Sequence, residues 1–179
     1  MKKRLLLIIG MLAGLFLYAQ EYIPADNGSS VKFKVKNFGL AVTGTFTGLQ
    51  GVIVFNATNP PSSNFNVSVD AASIETGINL RNNHLRGEDY FDVKQYPRIS
   101  FASSRVTAAD QTGSFYLVGK LTIRNVTKDI GFPFTATATE NGYVFDGNFR
   151  VNRHDFKVGG SNTIADSVSI ILHVVARKK

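Results

Sequence analysis

From Ser30 to Lys36 the chain alternates strictly, with Val31, Phe33 and Val35 on one side and Lys32, Lys34 and Lys36 on the other. A period of two is the mark of a half-buried strand. The same pattern continues through Val42–Phe46 and Val52–Phe55, and returns at Phe65, Val67, Val69 and Ala71 after the Pro60-Pro61 break. A short strand is predicted around Ile99 and Phe101. In the second half Phe115, Leu117, Gly119, Leu121 and Ile123 share one face, as do Ile130, Phe132, Phe134 and Ala136. Pro133 predicts an edge or a bulge in that segment, because it cannot donate to a ladder. Asn141-Gly142 predicts a tight hairpin turn into Tyr143, Phe145, Gly147, Phe149 and Val151. The last strand, 168–176, is apolar on both faces at Ile170-Ile171-Leu172. Short links between these segments predict about eight antiparallel strands. Asn79 to Tyr90 has helix formers, no alternation and no β-branched residue, which predicts one short helix over about 80–90, and a further helical turn is expected near 152–156.

A sheet of this size with one apolar face buries it either by closing into a barrel or by folding into a sandwich. An eight-stranded barrel is just wide enough to be filled by its own side chains or to hold one slim ligand. The inward positions carry large rings, among them Phe33, Phe46, Phe55, Phe101, Phe132 and Phe149, and also Gly44, Gly119 and Gly147. Those glycines either shape a cavity or only let the strands coil, and periodicity does not separate the two.

The first residues change where this barrel or sandwich should work. Lys2, Lys3 and Arg4 precede an apolar run from Leu5 to Tyr18 and the small Ala19. That is the layout of a secretory signal peptide, too short for a comfortable membrane span. Residues 1–19 are read as the leader, 20–179 as one domain, and the expected location as periplasmic or secreted. Losing the leader's three cations lowers the formal charge from +7 to +4. The remaining cations form no stripe that would track phosphates, which argues against nucleic acid as a partner. With no cysteine, thiol catalysis, thiolate zinc sites and iron–sulfur clusters are excluded, and the exported domain is expected to stand without disulfides.

An ordered set of segments then carries a resemblance. They are Gly39-Leu40 to Gly44-Thr45-Phe46, Ala72-Ser73-Ile74-Glu75-Thr76-Gly77, Arg81-Asn82-Asn83-His84-Leu85-Arg86, Tyr90-Phe91-Asp92-Val93, Tyr96-Pro97-Arg98-Ile99-Ser100-Phe101, Gly119-Lys120-Leu121-Thr122-Ile123-Arg124, Val126-Thr127-Lys128 and Val151-Asn152-Arg153-His154-Asp155-Phe156. Together they resemble the YceI-like family of polyisoprenoid-binding periplasmic proteins over essentially the whole chain after the leader. The resemblance implies an all-β fold: an extended, lipocalin-like, eight-stranded antiparallel β-barrel with one helix packed on it. It also implies an apolar lumen for an isoprenoid or similar lipid, and homologues that are often dimers. Asn82 departs from an Asp common in the family, and Asn125 and Lys157 depart from Gly.

The positions expected to line the lumen are Phe33, Val35, Phe46, Phe55, Ile74, Phe101, Leu117, Leu121, Phe132, Phe134, Phe145 and Phe149. Arg81, His84, Arg86 and Arg153 are head-group candidates, since the guanidinium fork suits phosphate. The competing expectation is that they pair with Glu88, Asp89, Asp92 or Asp155 and pin the helix to the barrel. No cofactor and no catalytic group are expected: Gly-x-Ser-x-Gly is absent, and Gly159-Gly160-Ser161 reads as a loop. His84 and Glu88 at i, i+4, joined by His154 or His173, are too weak a pattern for a metal site, and His173 is expected to have no partner. The alternatives to a lipid carrier are three. A packed barrel would act as a stress-response or interaction module. An enzyme would use the polar mouth. An outer-membrane barrel would turn Lys32, Lys34 and Lys36 into its lumen and lacks an evident aromatic girdle.

Overall fold

Alternation becomes a closed wall in the computed structural model, which describes residues 20–160 and 162–179; the expected leader, 1–19, lies outside the described residues. β1 (Glu21–Asn37) pairs with β9 (Ser167–Lys178), the ladder that joins the two ends of the sheet. Along its other edge β1 pairs with β2 (Leu40–Phe46) at its C-terminal end and with β3 (Gln50–Val54) at its N-terminal end. β2 and β3 are therefore two lengths of one stave. β4 (Asn64–Asp70), β5 (Arg98–Ala108), β6 (Ser114–Ile123), β7 (Val126–Thr139) and β8 (Gly142–Asn152) follow, every neighbouring pair antiparallel. The described strands thus make eight staves of a closed antiparallel barrel, and α1 (Asn79–Arg86) packs against one end.

Several boundaries differ from the sequence reading, each for a local reason. β1 begins at Glu21, not near Ser30. Its first lap, with Tyr22 and Pro24 buried and Ile23 exposed, is cut off from the alternating stretch by a bulge between Ala25 and Ser30 that hides the period. The helix is shorter than 80–90, because Gly87 caps it by donating to the His84 carbonyl and Tyr90 then turns inward. Glu88 therefore lies beyond the helix and does not share a face with His84. The β7–β8 hairpin turns at Glu140-Asn141, one residue early. The β7–β8 ladder also stops at Phe134–Gly147, so Pro133 stands where β7 has only β6 as a partner and its missing N–H costs nothing.

The bulge in β1 and the break between β2 and β3 are one feature. The Asp26 carboxylate accepts from the N–H of Gly48 (3.0 Å) and of Leu49 (2.9 Å), the two groups that the interrupted ladder would leave open. Next to it Ser29 Oγ accepts from Val175 N–H at 2.8 Å, laying the bulge over β9. A long stave is bent here without orphaning backbone donors.

Inside, the glycines neither leave gaps nor serve only for coiling. A Cβ at Gly44 would overlap the Phe33 ring, one at Gly119 the Phe101 ring, and one at Gly147 would press on Phe132. Each glycine is the seat of a cross-strand phenylalanine, so ring and vacancy sum to one well-packed wall position. At the end of the barrel away from α1, Phe55 sits among Phe65, Phe115, Phe134, Tyr143 and Phe145 with ring centroids 5.0–6.2 Å apart, mostly edge to face. This plug is solid. Towards α1 the core divides into a Phe33–Phe46–Val69–Ile74 cluster and a Tyr90–Leu121–Phe156–Val158 cluster.

α1 is held by polar contacts, since its own residues are mostly polar. Asn82, 1% exposed, accepts from Thr76 N–H (2.9 Å) and Thr76 Oγ1 (2.6 Å) and donates to Glu75 Oε1 at 2.8 Å. Glu75 exchanges backbone hydrogen bonds with Thr45, so the segment before α1 is sewn to the free edge of β2. Donation by Asn82, then by Gly77 N–H, holds the Glu75 carboxyl below its ordinary 4.5. The Asp that the resemblance implies at position 82 would set two carboxylates against each other; this chain's Asn82 matches its Glu75. The other two departures, Asn125 and Lys157, adopt φ of 58° and 57°, the left-handed region that glycine enters freely.

Three variants test these contacts. Asp26→Ala should lower stability by about 1–2 kcal/mol through two lost hydrogen bonds to a charged acceptor, read as a shifted urea midpoint at unchanged slope. Asn82→Asp should destabilise the fold at pH 7, because it replaces the donor to Glu75 Oε1 with a second carboxylate, with the loss shrinking as the pH falls and one carboxyl protonates. In the native chain the sign is opposite. Glu75, depressed in the fold, contributes stability above its unfolded value of 4.5 that disappears as pH falls through the lower folded value; Glu75→Gln should flatten that part of a melting-temperature profile.

Candidate ligand-binding site

Between the two upper clusters lies a cavity of about 270 Å³, close to the lower bound of the roughly 300–1,000 Å³ typical of small-molecule pockets. Its walls are almost wholly apolar. Phe33, Val35, Phe46 and Val69 line one side, and Leu121, Phe149, Phe156 and Val158 the other. Phe65, Leu117, Phe134 and Phe145 form the floor, where it meets the aromatic plug. Leu85 and Phe91, from α1 and the turn after it, complete the upper wall.

Ten of the twelve expected lumen residues line this space: Phe33, Val35, Phe46, Phe101, Leu117 and Leu121, then Phe132, Phe134, Phe145 and Phe149. Two do not. Phe55 is the hub of the plug, shut off from the cavity by Phe65, Phe134 and Phe145. Ile74, fully buried, belongs to the segment sewn onto β2 and packs behind the wall formed by Phe33 and Phe46. The hollow therefore occupies the half of the barrel next to α1 rather than its whole length. Lining residues outside the expectation include Val42, Leu85, Phe91, Val158 and Ile164. Leu85 lies on α1 and Phe91, Val158 and Ile164 lie on loops, where no period of two marks the inward side, whereas Val42 shares the alternating face of Gly44 and Phe46 on β2.

The four polar candidates separate. Arg153, 5% exposed, donates to the carbonyls of Val158 (3.1 Å), Gly159 (2.6 Å), Ile164 (2.9 Å) and Ala165 (3.3 Å), and lies 3.5 Å from Asp166. It organises the loop that forms one lip of the mouth and also borders the cavity. Arg86 donates to the carbonyls of Ala72 and Ile74 and to Asn83 Oδ1, pinning α1 to the segment before it. His84 is exposed, packs edge-on against Tyr90 at 4.8 Å and does not line the cavity. Arg81 does line it; Nε and Nη2 are held by Thr76, at 2.8 and 2.7 Å, and Nη1 keeps no protein partner among the described residues. Pinning is thus done through backbone carbonyls, not through Glu88, Asp89, Asp92 or Asp155 as expected. His173 also departs from expectation, since its Nδ1 meets Asp146 Oδ1 at 2.6 Å on the outer surface.

One residue at the mouth escaped the sequence reading. Asn37 borders the cavity, and its Oδ1 is the buried side-chain oxygen that lacks a hydrogen-bond partner among the described residues. An acceptor left open beside an apolar hollow is costly unless something donates to it. Nothing in the alternation singles out Asn37, which reads as an ordinary turn residue. Among the described residues, no three His, Asp or Glu side chains converge as metal ligands, and no helix is long and apolar enough to cross a membrane.

Comparison with known proteins places this geometry. The YceI-like domain family matches residues 22–176. A UPF0312 protein from Photorhabdus laumondii is 33% identical over 133 residues, covering 69% of this chain and 68% of the relative. One from Pseudomonas syringae pv. tomato is 28% identical over 165 residues, 85% of this chain and 83% of the relative. BcnA from Burkholderia cenocepacia superposes with a TM-score of 0.80 at 26% identity, covering 84% of this chain and 98% of that one. A polyisoprenoid binding domain from Saccharophagus degradans, implicated in plant cell wall breakdown, shares the fold at TM-score 0.72 and 14% identity, over 90% of this chain and all of that one. With its barrel, its helix-capped hollow and a match that spans nearly every described residue, this chain belongs to the YceI-like domain family.

Proposed function

We propose that this protein is an exported, non-enzymatic lipid carrier that holds the tail of an isoprenoid, polyprenyl or prenyl-quinone-like, in the half-barrel beside α1. The observation that carries the reading is the apolar cavity of about 270 Å³ with a single band of polar groups at its mouth. A family neighbour in fold described as a polyisoprenoid binding domain supports the ligand class, and the leader-like first 19 residues support a periplasmic or secreted location.

The energetics favour a tail over any head group. Each buried CH₂ is worth about 0.8 kcal/mol, so ten carbons supply about 8 kcal/mol before association costs. A hydrogen bond to the head adds about 1 kcal/mol, more if charged. A chain that binds only the folded protein stabilises it by mass action, so cargo and stability are linked. At the mouth Asn37 Oδ1 accepts and Arg81 Nη1 donates, a pair suited to a hydroxyl, carbonyl or phosphate head. The lining is almost wholly apolar, so several chain types of similar width fit. The reading as a packed module without cargo is disfavoured by the hollow itself.

Protein purified without detergent should release a long-chain isoprenoid on organic extraction, seen by mass analysis, and should melt at a lower temperature after delipidation. Ligand-free protein that also fails to bind prenyl quinones and polyprenyl phosphates would sink the carrier reading. Val151→Phe, which fills the cavity from its wall, should leave the melting temperature of lipid-free protein equal or higher while weakening long-chain binding at least about tenfold. Asn37→Leu should stabilise the lipid-free chain by removing the open acceptor. It should also erase about a tenfold preference for a hydroxyl-headed lipid over a hydrocarbon of the same length, measured by competition against a fluorescent fatty probe.

A further inference from the structure

The hairpin between β1 and β2 turns through two residues, Phe38 and Gly39, both at positive φ, 48° and 78°. That is the two-residue turn in which Asn-Gly is favoured. A phenylalanine at its first position is strained by its backbone, and Phe38 is 76% exposed, so packing does not compensate. The backbone is held there, since Phe38 N–H donates to the Thr163 carbonyl at 2.9 Å; it is the ring that is left in solvent without a partner surface. Leu40, 73% exposed, stands beside it. The segment sewn to β2 runs antiparallel from Glu75 opposite Thr45, which carries Ile78 and Leu80 back towards this same hairpin tip. They are 51% and 82% exposed. Four of the six exposed large apolar side chains among the described residues therefore gather at one rim.

That rim borders the cavity mouth. Asn37, Val42 and Arg81, which flank these residues in sequence, line the cavity. Below the tip, Lys32, Lys34 and Lys36 form a column of exposed cations on the outer face of β1. Their cross-strand neighbours are Thr45, Thr43 and Ala41 on one side and Ile171 and Ser169 on the other. None is acidic. The carboxylates on the flanking segments are already engaged: Glu75, opposite Thr45, by Asn82 and Gly77, and Asp166, next to the Ala165 that bonds Lys36, by Arg153 and His154. An apolar tip beside an unneutralised basic column is the pattern of a surface that inserts shallowly between lipid head groups and is drawn to anionic ones.

We infer that the Phe38–Leu40–Ile78–Leu80 rim docks on an anionic lipid bilayer, with the lysine column against the head groups and the cavity mouth facing the acyl region. The inference rests on the carrier reading only for the purpose of docking; the contact itself depends on the rim and is measured apart from cargo content. It gives the mouth a route for a tail that never crosses water.

The test is co-sedimentation of the exported protein with vesicles of phosphatidylcholine and phosphatidylglycerol at 70:30, against pure phosphatidylcholine, at low and high salt. The native protein should bind the anionic vesicles and lose most of that binding in high salt. Phe38→Asn places the favoured Asn-Gly pair in the turn, so it should raise the melting temperature while lowering vesicle binding at least about fivefold. These opposite responses separate a docking role from a folding defect. Lys34→Ser with Lys36→Ser should remove the preference for anionic vesicles. Leu40→Ser serves as the second tip variant. Native protein that ignores both vesicle types, or tip variants that bind as well as native, would overturn the inference. So would a tip variant that turns a dimer into a monomer without altering vesicle binding, since the rim would then cover a second copy of the chain. Lipid content of the same samples, by mass analysis, reports on the carrier reading separately.

Discussion

Phe55 meets five aromatic rings at one end of the barrel, and that plug is what permits the other end to be hollow. Apart from the outer edge of β2, bridged by Glu75 at Thr45, the described eight-stave wall has no edge to lose, but closure alone does not say how much of the interior is filled. Here the filling is uneven. Fully buried Ile53 and Val106 and the packed rings around them concentrate apolar burial near Tyr22 and Ala176. Towards α1 the opposing clusters stand apart, with Leu85 and Phe91 reaching between them only at the top. The arrangement separates the part of the molecule that makes it fold from the part that leaves room for something else.

The upper end is kept open by polar anchoring. Asn82, Arg86 and Arg153 each spend their hydrogen bonds on the segments around the mouth. A buried guanidinium among carbonyls holds a loop at a fixed distance without filling space with side chains. Had those anchors been leucines, the natural outcome would be collapse of α1 and the 157–166 loop into the hollow. The same economy appears in the wall, where Phe33, Phe101 and Phe132 lie flat over glycines and leave a smooth surface.

Most of the barrel was legible because its signal is local. A strand with one wet and one dry face must alternate, so Phe33, Leu121, Phe132 and Phe145 announce their side directly. The signal failed wherever the period was broken. The first lap of β1 was hidden behind the Asp26–Ser29 bulge. Phe55 points inward by pattern and Ile74 belongs to one of the short motifs, yet depth along the barrel, which no period encodes, puts one in the plug and the other behind the wall. The arginines were recognised as anchors or head-group ligands, but their partners are carbonyls supplied by loop geometry, which carry no side-chain signature.

The amino-acid order by itself determined the strand content, the inward face of nearly every strand, the absence of disulfides and thiol chemistry, and membership of a family through an ordered set of short motifs. These depend on neighbours two to four residues apart. Only the tertiary structure decided that nine strands make eight staves, that the hollow fills half the barrel, and that Asn37 and Arg81 share its mouth with a rim of exposed apolar side chains. Those outcomes depend on register and closure between residues far apart in the chain, where small shifts in stagger decide whether facing rings touch or leave a gap.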